Sequence, residues 1–275
     1  MELNKIYKGD SIELLRQLKD NSIDLVITSP PYSTMKKYIS DVGISADDYV
    51  DWFIPYCKEI ERVLKPTGSF ILNINDKVEN GFRHPYVFDL ISRLHKETGL
   101  KMFERLFWNK MKSLPNRSRF GDRIEYLFWF CKSKDFYFNI DEMRTEYSDK
   151  SIKRMKKPLK RRFSRGEDDS KLGFKSWEPN PKGALPTTHV QISSETKKIS
   201  DKHIAVYPVE LVSYFIKGAS EEGSIVLDPF MGVGTTGLAC KILNRNFIGF
   251  ELQDEYIKVA EDRINSHINK KEVQL

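Results

Sequence analysis

Apolar positions along the chain fall into short unbroken runs that alternate with stretches of helical period. Ile23 to Thr28 (IDLVIT) is a continuous β-rich run closed by a double proline, which predicts a buried strand. Tyr49, Trp52, Phe53, Tyr56, Cys57, Ile60, Val63 and Leu64 then recur at i, i+3, i+4 and i+7. That spacing predicts an amphipathic helix, stopped by Lys65-Pro66-Thr67-Gly68. Ser69 to Ile74 predicts a second strand, and Pro85 to Thr98 a helix with proline near its first turn and Gly99 behind it. Aromatic-rich strands are expected near Lys101 to Trp108 and Ile124 to Cys131. Near the N-terminus, Asp10 to Glu13 (DSIE) has capping-box spacing and predicts a helix through Leu18. The last quarter predicts helix 208–217, strand 225–227, helix 235–243, strand 247–250 and helix 254–264. Alternation on this scale makes the fold α/β, with a doubly wound, mostly parallel sheet.

Composition adds what the chain is not. At 275 residues with 40% hydrophobic and 31% charged positions, it is too apolar for a disordered chain and too polar for a membrane protein. The first twenty residues mix acids and bases, and no apolar stretch reads as a signal peptide or spanning helix. Cys57, Cys131 and Cys240 lie far apart and match neither disulfide nor zinc spacing, so a cytoplasmic location is expected. The five histidines are scattered and none is assigned to a metal.

Charge changes the picture once it is divided along the chain. Of the net +6, residues 150–202 carry 15 Lys and Arg against 6 acids, or +9, and the remainder carries −3. The stretch includes Lys153, Arg154, Lys156, Lys157, Lys160, Arg161, Arg162 and Arg165, with Phe163, Phe174 and Trp177 spaced among the charges. A polyanion partner, nucleic acid above all, is one reading; a solvated loop is the other.

Two strand ends carry candidate chemistry. The first is Asp228 to Gly237 (DPFMGVGTTG), where Gly232-x-Gly234-x-x-Gly237 follows a strand and opens a helix, and the next strand ends in Glu251. Glycines let backbone approach a nucleotide-like ligand, and an acid at the next strand tip accepts ribose hydroxyls. No lysine follows the glycines, so this is not a triphosphate loop. A nicotinamide oxidoreductase fits the same glycines and acid. Asp228 counts against it, because a carboxylate beside the loop repels pyrophosphate and suits an amino or sulfonium group.

The second is Thr28-Ser29-Pro30-Pro31-Tyr32, directly after the buried strand. Prolines donate no amide hydrogens, so their carbonyls are left as acceptors; Ser29 adds a hydroxyl and Tyr32 a flat face. Two acceptors and a stacking surface suit the exocyclic amino group of a nucleobase. Drawing on both of its protons localises the nitrogen lone pair for attack on an electrophilic methyl.

Together these residues resemble the S-adenosylmethionine-dependent DNA amino-methyltransferases, in the permuted class whose catalytic tetrapeptide precedes the cofactor loop. The order TSPPY, basic insert, DPFMGVGTT follows that class, and the resemblance covers nearly all of the chain outside the insert. It implies a circularly permuted Rossmann-like methyltransferase sheet: residues 1–140 the catalytic half, 141–202 a target-recognition insert, 203–275 the cofactor half. Lys8-Gly9-Asp10-Ser11 looks like the family's cofactor-adenine element and FIGFEL its second cofactor strand; His203 to Leu211 resembles the lead-in to the cofactor half. By this resemblance Asp10, Asp228, Pro229, Phe230, Gly232, Gly234, Thr235, Thr236 and Glu251 bind S-adenosylmethionine, and Ser29, Pro30, Pro31 and Tyr32 form the catalytic turn. Serine at the head of the tetrapeptide is characteristic of cytosine-N4 enzymes, aspartate of adenine-N6 enzymes. The implied substrate is double-stranded DNA with the target base flipped out. Lys36 and Lys37 on the following loop, and Arg119 with Arg117 and Arg123, are candidate phosphate contacts. A restriction-modification context is expected, pairing with a restriction endonuclease and a homodimer are left open, and no metal is required because the leaving group is a neutral thioether.

Overall fold

The protein is described by a computed structural model covering residues 1–32, 44–111, 119–155, 179–194 and 207–272. Lys36, Lys37, Arg117, Lys156, Lys157, Lys160, Arg161, Arg162 and Arg165, with the three insert aromatics, lie outside the described residues.

In chain order the elements are β1 (Lys5–Lys8), α1 (Ser11–Arg16), β2 (Ile23–Thr28), α2 (Tyr49–Val63), β3 (Leu64–Ile74), a short hairpin of β4 (Val78–Glu79) and β5 (Phe82–Arg83), and α3 (Tyr86–Glu97). They continue with β6 (Lys101–Asn109), β7 (Ile124–Cys131), α4 (Asp149–Met155), β8 (His189–Gln191), α5 (Val209–Ala219), β9 (Ile225–Asp228), α6 (Thr235–Ile242), β10 (Asn246–Glu251) and α7 (Asp254–Glu272). One sheet runs β1-β10-β9-β2-β3-β7-β6-β8. Strand β7 is antiparallel to both neighbours, and every other pair in that sheet is parallel.

Both faces of the sheet are covered, which is why its central strands read as unbroken apolar runs. Val26, Phe70, Leu72, Phe128, Phe130, Leu227 and Ile248 pack on the side of α1, α2 and α3. Their strand neighbours Leu25, Ile27, Ile71, Leu127, Trp129 and Val226 pack on the side of α5 and α6. From β2 the chain winds through α2 to β3, and from β9 through α6 to β10, in opposite directions across the sheet. The switch therefore falls between β9 and β2, whose carboxyl ends are neighbours through Val26 and Leu227. Open α/β sheets hold ligands in that crevice.

Several sequence expectations shift. The Asp10 side chain caps α1 through the Ile12 N–H at 2.9 Å, but Glu13 reaches forward to Arg16 instead of back to the cap, and the helix ends at Arg16. Lys65 to Gly68 does stop α2 but belongs to β3. Ile23 faces Leu64 and Leu25 faces Ser69, so the intervening residues bulge from the ladder, where Pro66 disrupts no regular pairing. Strand β1 carries no apolar run; its pairing with β10, Lys5 to Ile248 through Lys8 to Glu251, makes it a strand. Within the basic insert, His189–Gln191 returns to the main sheet as β8 beside β6, so part of the insert is sheet edge.

Candidate active site

Four parallel strands, β1, β10, β9 and β2, stand side by side, and each ends in a residue singled out by the sequence. Asp10 follows β1, Glu251 ends β10, Asp228 ends β9, and Thr28 ends β2 with Ser29 after it. Parallel pairing points all four carboxyl ends the same way, so residues more than 200 positions apart share one rim.

On the cofactor-loop side the turn after β9 is built by glycine. Gly232 and Gly234 have φ of 53° and 79°. A Cβ on Gly234 would lie 2.6 Å from that of Ala260, so an L side chain there meets both backbone strain and a clash. The loop is tied down from three directions: Gly232 N–H donates to Glu251 Oε2 at 2.8 Å, Met231 N–H to the Phe250 carbonyl at 2.8 Å, and Ser11 Oγ to the Pro229 carbonyl. Phe230 lies 5.4 to 6.1 Å, centroid to centroid, from Trp52, Phe53 and Tyr56, an aromatic floor contributed by α2. Burial and then the adjacent Asp10 carboxylate push the Tyr56 hydroxyl up to about 12. Thr235 and Thr236 are buried behind the loop.

The two loop carboxylates differ in what they can still accept. A carboxylate has roughly four lone-pair sites. Asp228 fills them all: Oδ1 takes Thr28 Oγ1 at 2.6 Å and the Phe230 N–H at 3.0 Å, and Oδ2 takes Thr236 Oγ1 at 2.5 Å and the Tyr207 hydroxyl at 2.9 Å. It is fully buried, and burial raises its pKa against the lowering effect of those hydrogen bonds. Four donors within the protein thus already reach the Asp228 carboxylate. Its charge is consumed inside the protein, where it locks the glycine loop to the end of β2. Glu251 is only three-quarters occupied, with Leu252 and Gln253 N–H groups on Oε1 at 2.9 Å each and Gly232 on Oε2. Burial raises its pKa too. Among the described residues no further donor reaches Glu251, which leaves one acceptor site on Oε2.

On the other side of the crevice the prolines fix the turn. Pro30 is buried, and the Pro31 carbonyl accepts the Tyr49 hydroxyl at 3.1 Å. Among the described residues none donates to the Pro30 carbonyl, so of the two proline acceptors it is Pro30 that stays available. Ser29 Oγ sits 3.3 Å from the Tyr32 hydroxyl, which donates to Glu125 Oε2 at 3.0 Å. Glu125 Oε1 in turn holds Lys110 Nζ at 3.0 Å. Burial, and then the Glu125 carboxylate, push the Tyr32 hydroxyl well above its ordinary value.

The outlying candidates are placed less centrally. Arg119 donates to the Gly81 carbonyl at the tip of the β4–β5 hairpin. Lys153 and Arg154 are exposed in the last turn of α4. Sequence reading missed Tyr207, Lys110 and Glu125, and the part the Thr28 hydroxyl plays in holding Asp228. A faint signal existed for two of them, since Thr28 ends an otherwise apolar run and Glu125 is the one acid in IEYLFWFC.

A glycine loop and a Ser-Pro-Pro-Tyr turn on adjoining ends of an open, doubly wound sheet have the layout of a methyltransferase. The chain belongs to the DNA methylase family of N6 and N4 methyltransferases, which it matches over residues 23–262. It is 30% identical over 258 residues to the type II methyltransferase M.BglII of Bacillus subtilis, covering 94% of this chain and 68% of that one. To M.PvuII of Proteus hauseri it is 29% identical, covering 98% and 86%. The solved cytosine-N4-specific PvuII DNA methyltransferase superposes with a TM-score of 0.72 at 26% identity, over 94% of this chain and 85% of that one. The M1.HpyAVI complex with S-adenosylmethionine shares the fold, with a TM-score of 0.60 at 24% identity over 95% and 98% of the two chains. The nicotinamide alternative is thereby set aside. Among the described residues no helix is long and apolar enough to cross a membrane, and no group of side chains is arranged to hold a metal.

Proposed function

We propose that the chain transfers a methyl group from S-adenosylmethionine to the N4 amino group of a cytosine flipped out of double-stranded DNA, as the modifying partner of a restriction endonuclease. The observation that carries this is Ser29, a neutral hydroxyl acceptor beside an available Pro30 carbonyl, joined through Thr28 and Asp228 to the glycine loop. The donor set fits the cofactor: Glu251 keeps one acceptor site for a ribose hydroxyl, Asp10 stands at the end of β1, and Phe230 offers an aromatic edge or face. Bound there, S-adenosylmethionine supplies a methyl group made electrophilic by its sulfonium. The names of the relatives support both parts of the reading, since M.PvuII is cytosine-N4-specific and M1.HpyAVI is solved with that cofactor.

The protein's own contribution is positioning. Ser29 Oγ and the Pro30 carbonyl accept the two N–H groups of the base, which draws the nitrogen away from planarity and localises its lone pair. Tyr32 covers the face of the base, and the Asp228 network keeps the two loops in register so that attack is in line. Lys153 and Arg154, with the basic residues that follow, supply the salt-sensitive grip on phosphates. The test is Ser29→Ala. Cofactor affinity is expected to stay within about twofold while methyl transfer falls about 10²-fold or more, the scale of one catalytic hydrogen bond. Full activity in that variant removes Ser29 from the mechanism.

A further inference from the structure

Ser29 is useful to an amino group only if it offers lone pairs. A serine hydroxyl rotates freely, and in the wrong rotamer its hydrogen would bond to the nucleophilic lone pair and quench it. Something must fix its direction. A chain of hydrogen bonds starts at Ser29 and runs 3.3 Å to the Tyr32 hydroxyl, 3.0 Å on to Glu125 Oε2, and from Glu125 Oε1 3.0 Å to Lys110.

We propose that Glu125 is a positioning residue that acts through Tyr32 to hold the Ser29 hydroxyl with its lone pairs facing the substrate amino group; this rests on the reading of Ser29 as the acceptor of that group. A carboxylate can only accept, so the Tyr32 hydroxyl must donate to it. With its one hydrogen used, Tyr32 can only accept from Ser29. Ser29 then gives its own hydrogen to Tyr32 and has nothing but lone pairs left for the base. Lys110 is the anchor: an ammonium can only donate, and by occupying Oε1 it leaves Oε2 for Tyr32. The Glu125 and Lys110 side chains are 14% and 21% exposed, sheltered enough that water competes weakly for these partners. Glu125 lies at the start of β7, 93 positions from Tyr32, and only the antiparallel strand beside β3 brings it to the turn.

The direction of the chain can be reversed chemically. In Glu125→Gln the amide carbonyl is claimed by Lys110, which has no use for an NH2, so the NH2 faces Tyr32. Tyr32 then accepts from it and donates to Ser29, whose hydrogen swings toward the base. Single-turnover methylation of duplex DNA at saturating cofactor is therefore expected to slow about 10²-fold in this variant, with cofactor affinity within about twofold of the parent. Adding Lys110→Met frees the amide to turn its carbonyl to Tyr32, and the double variant should regain at least about tenfold over Glu125→Gln alone. In a Tyr32→Phe background, which keeps the ring and breaks the chain, Glu125→Gln should cause no additional loss. A merely structural role for Glu125 predicts neither the rescue nor the non-additivity. A parental rate for Glu125→Gln, absence of rescue by Lys110→Met, or equal losses with and without the Tyr32 hydroxyl would overturn the proposal, provided Ser29→Ala is inactive. If Ser29→Ala is itself fully active, the functional reading beneath fails instead.

Discussion

Removing the Asp228 carboxylate tests how the two halves of the site are held together. In Asp228→Ala four hydrogen bonds disappear, but their donors do not suffer equally. Tyr207 and Thr236 hydroxyls lie 2.6 Å apart, so one can donate to the other, and one of their two hydrogens is left without an acceptor. Thr28 Oγ1 and the Phe230 N–H lose the partner that Asp228 gave them. Three donors are then unpaired, the Phe230 N–H among them only part-buried, and at about 1–3 kcal/mol for each buried one the cost is up to about 3–9 kcal/mol together, partly offset because a desolvated carboxylate is removed with them. Asp228→Asn should lose much less. Phe230 N–H can only donate, so the amide carbonyl takes the Oδ1 side and its NH2 the Oδ2 side, where two hydroxyls can rotate to accept. Urea unfolding of the parent and both variants measures this. A loss below about 1 kcal/mol for Asp228→Ala, or one no greater than for Asp228→Asn, would refute the claim that this carboxylate locks the loop to β2.

Further outcomes follow from the same geometry. Burial raises the Asp228 pKa above its ordinary 3.8, so this group favours the folded state below that value and loses its contribution as pH rises through the folded one. The stability of Asp228→Asn relative to the parent should accordingly be greatest at neutral pH and shrink on acidification toward 3.8, read from unfolding curves at several pH values. Gly234→Ala puts a side chain at φ 79° and 2.6 Å from the Ala260 Cβ, so it should destabilise by at least the ~1–2 kcal/mol of a left-handed residue and weaken cofactor binding in titration calorimetry. Neutralising Lys153 and Arg154 should flatten the salt dependence of DNA binding by ~0.9 in log–log slope for each phosphate these side chains no longer neutralise; an unchanged slope would leave α4 as a solvated face.

Much of this architecture is legible in the residues themselves, and the exceptions share a cause. Double-sided burial writes itself as unbroken apolar runs, so β2, β3 and β7 can be read directly. Glycines and prolines mark the two turns because those backbone conformations demand them. By contrast, KIYK becomes β1 only by pairing with β10, and HVQ becomes β8 only by lying beside β6. Neither carries a local pattern. The same holds at the site. Ser29 and Glu251 announce themselves by position after a strand, whereas Glu125 and Tyr207 act on residues 93 and 21 positions away. Asp228 shows the converse: its motif is conspicuous, yet one of the donors that hold its carboxylate is Thr28, 200 residues earlier.

A serine-headed turn beside the glycine loop should methylate the N4 amino group of cytosine. The most direct measurement is to incubate duplex DNA with the protein and methyl-labelled S-adenosylmethionine, digest the product to nucleosides and identify the labelled one. Label in N4-methyldeoxycytidine, lost with Ser29→Ala, is the expected result. Label in N6-methyldeoxyadenosine, or none in DNA, would contradict it.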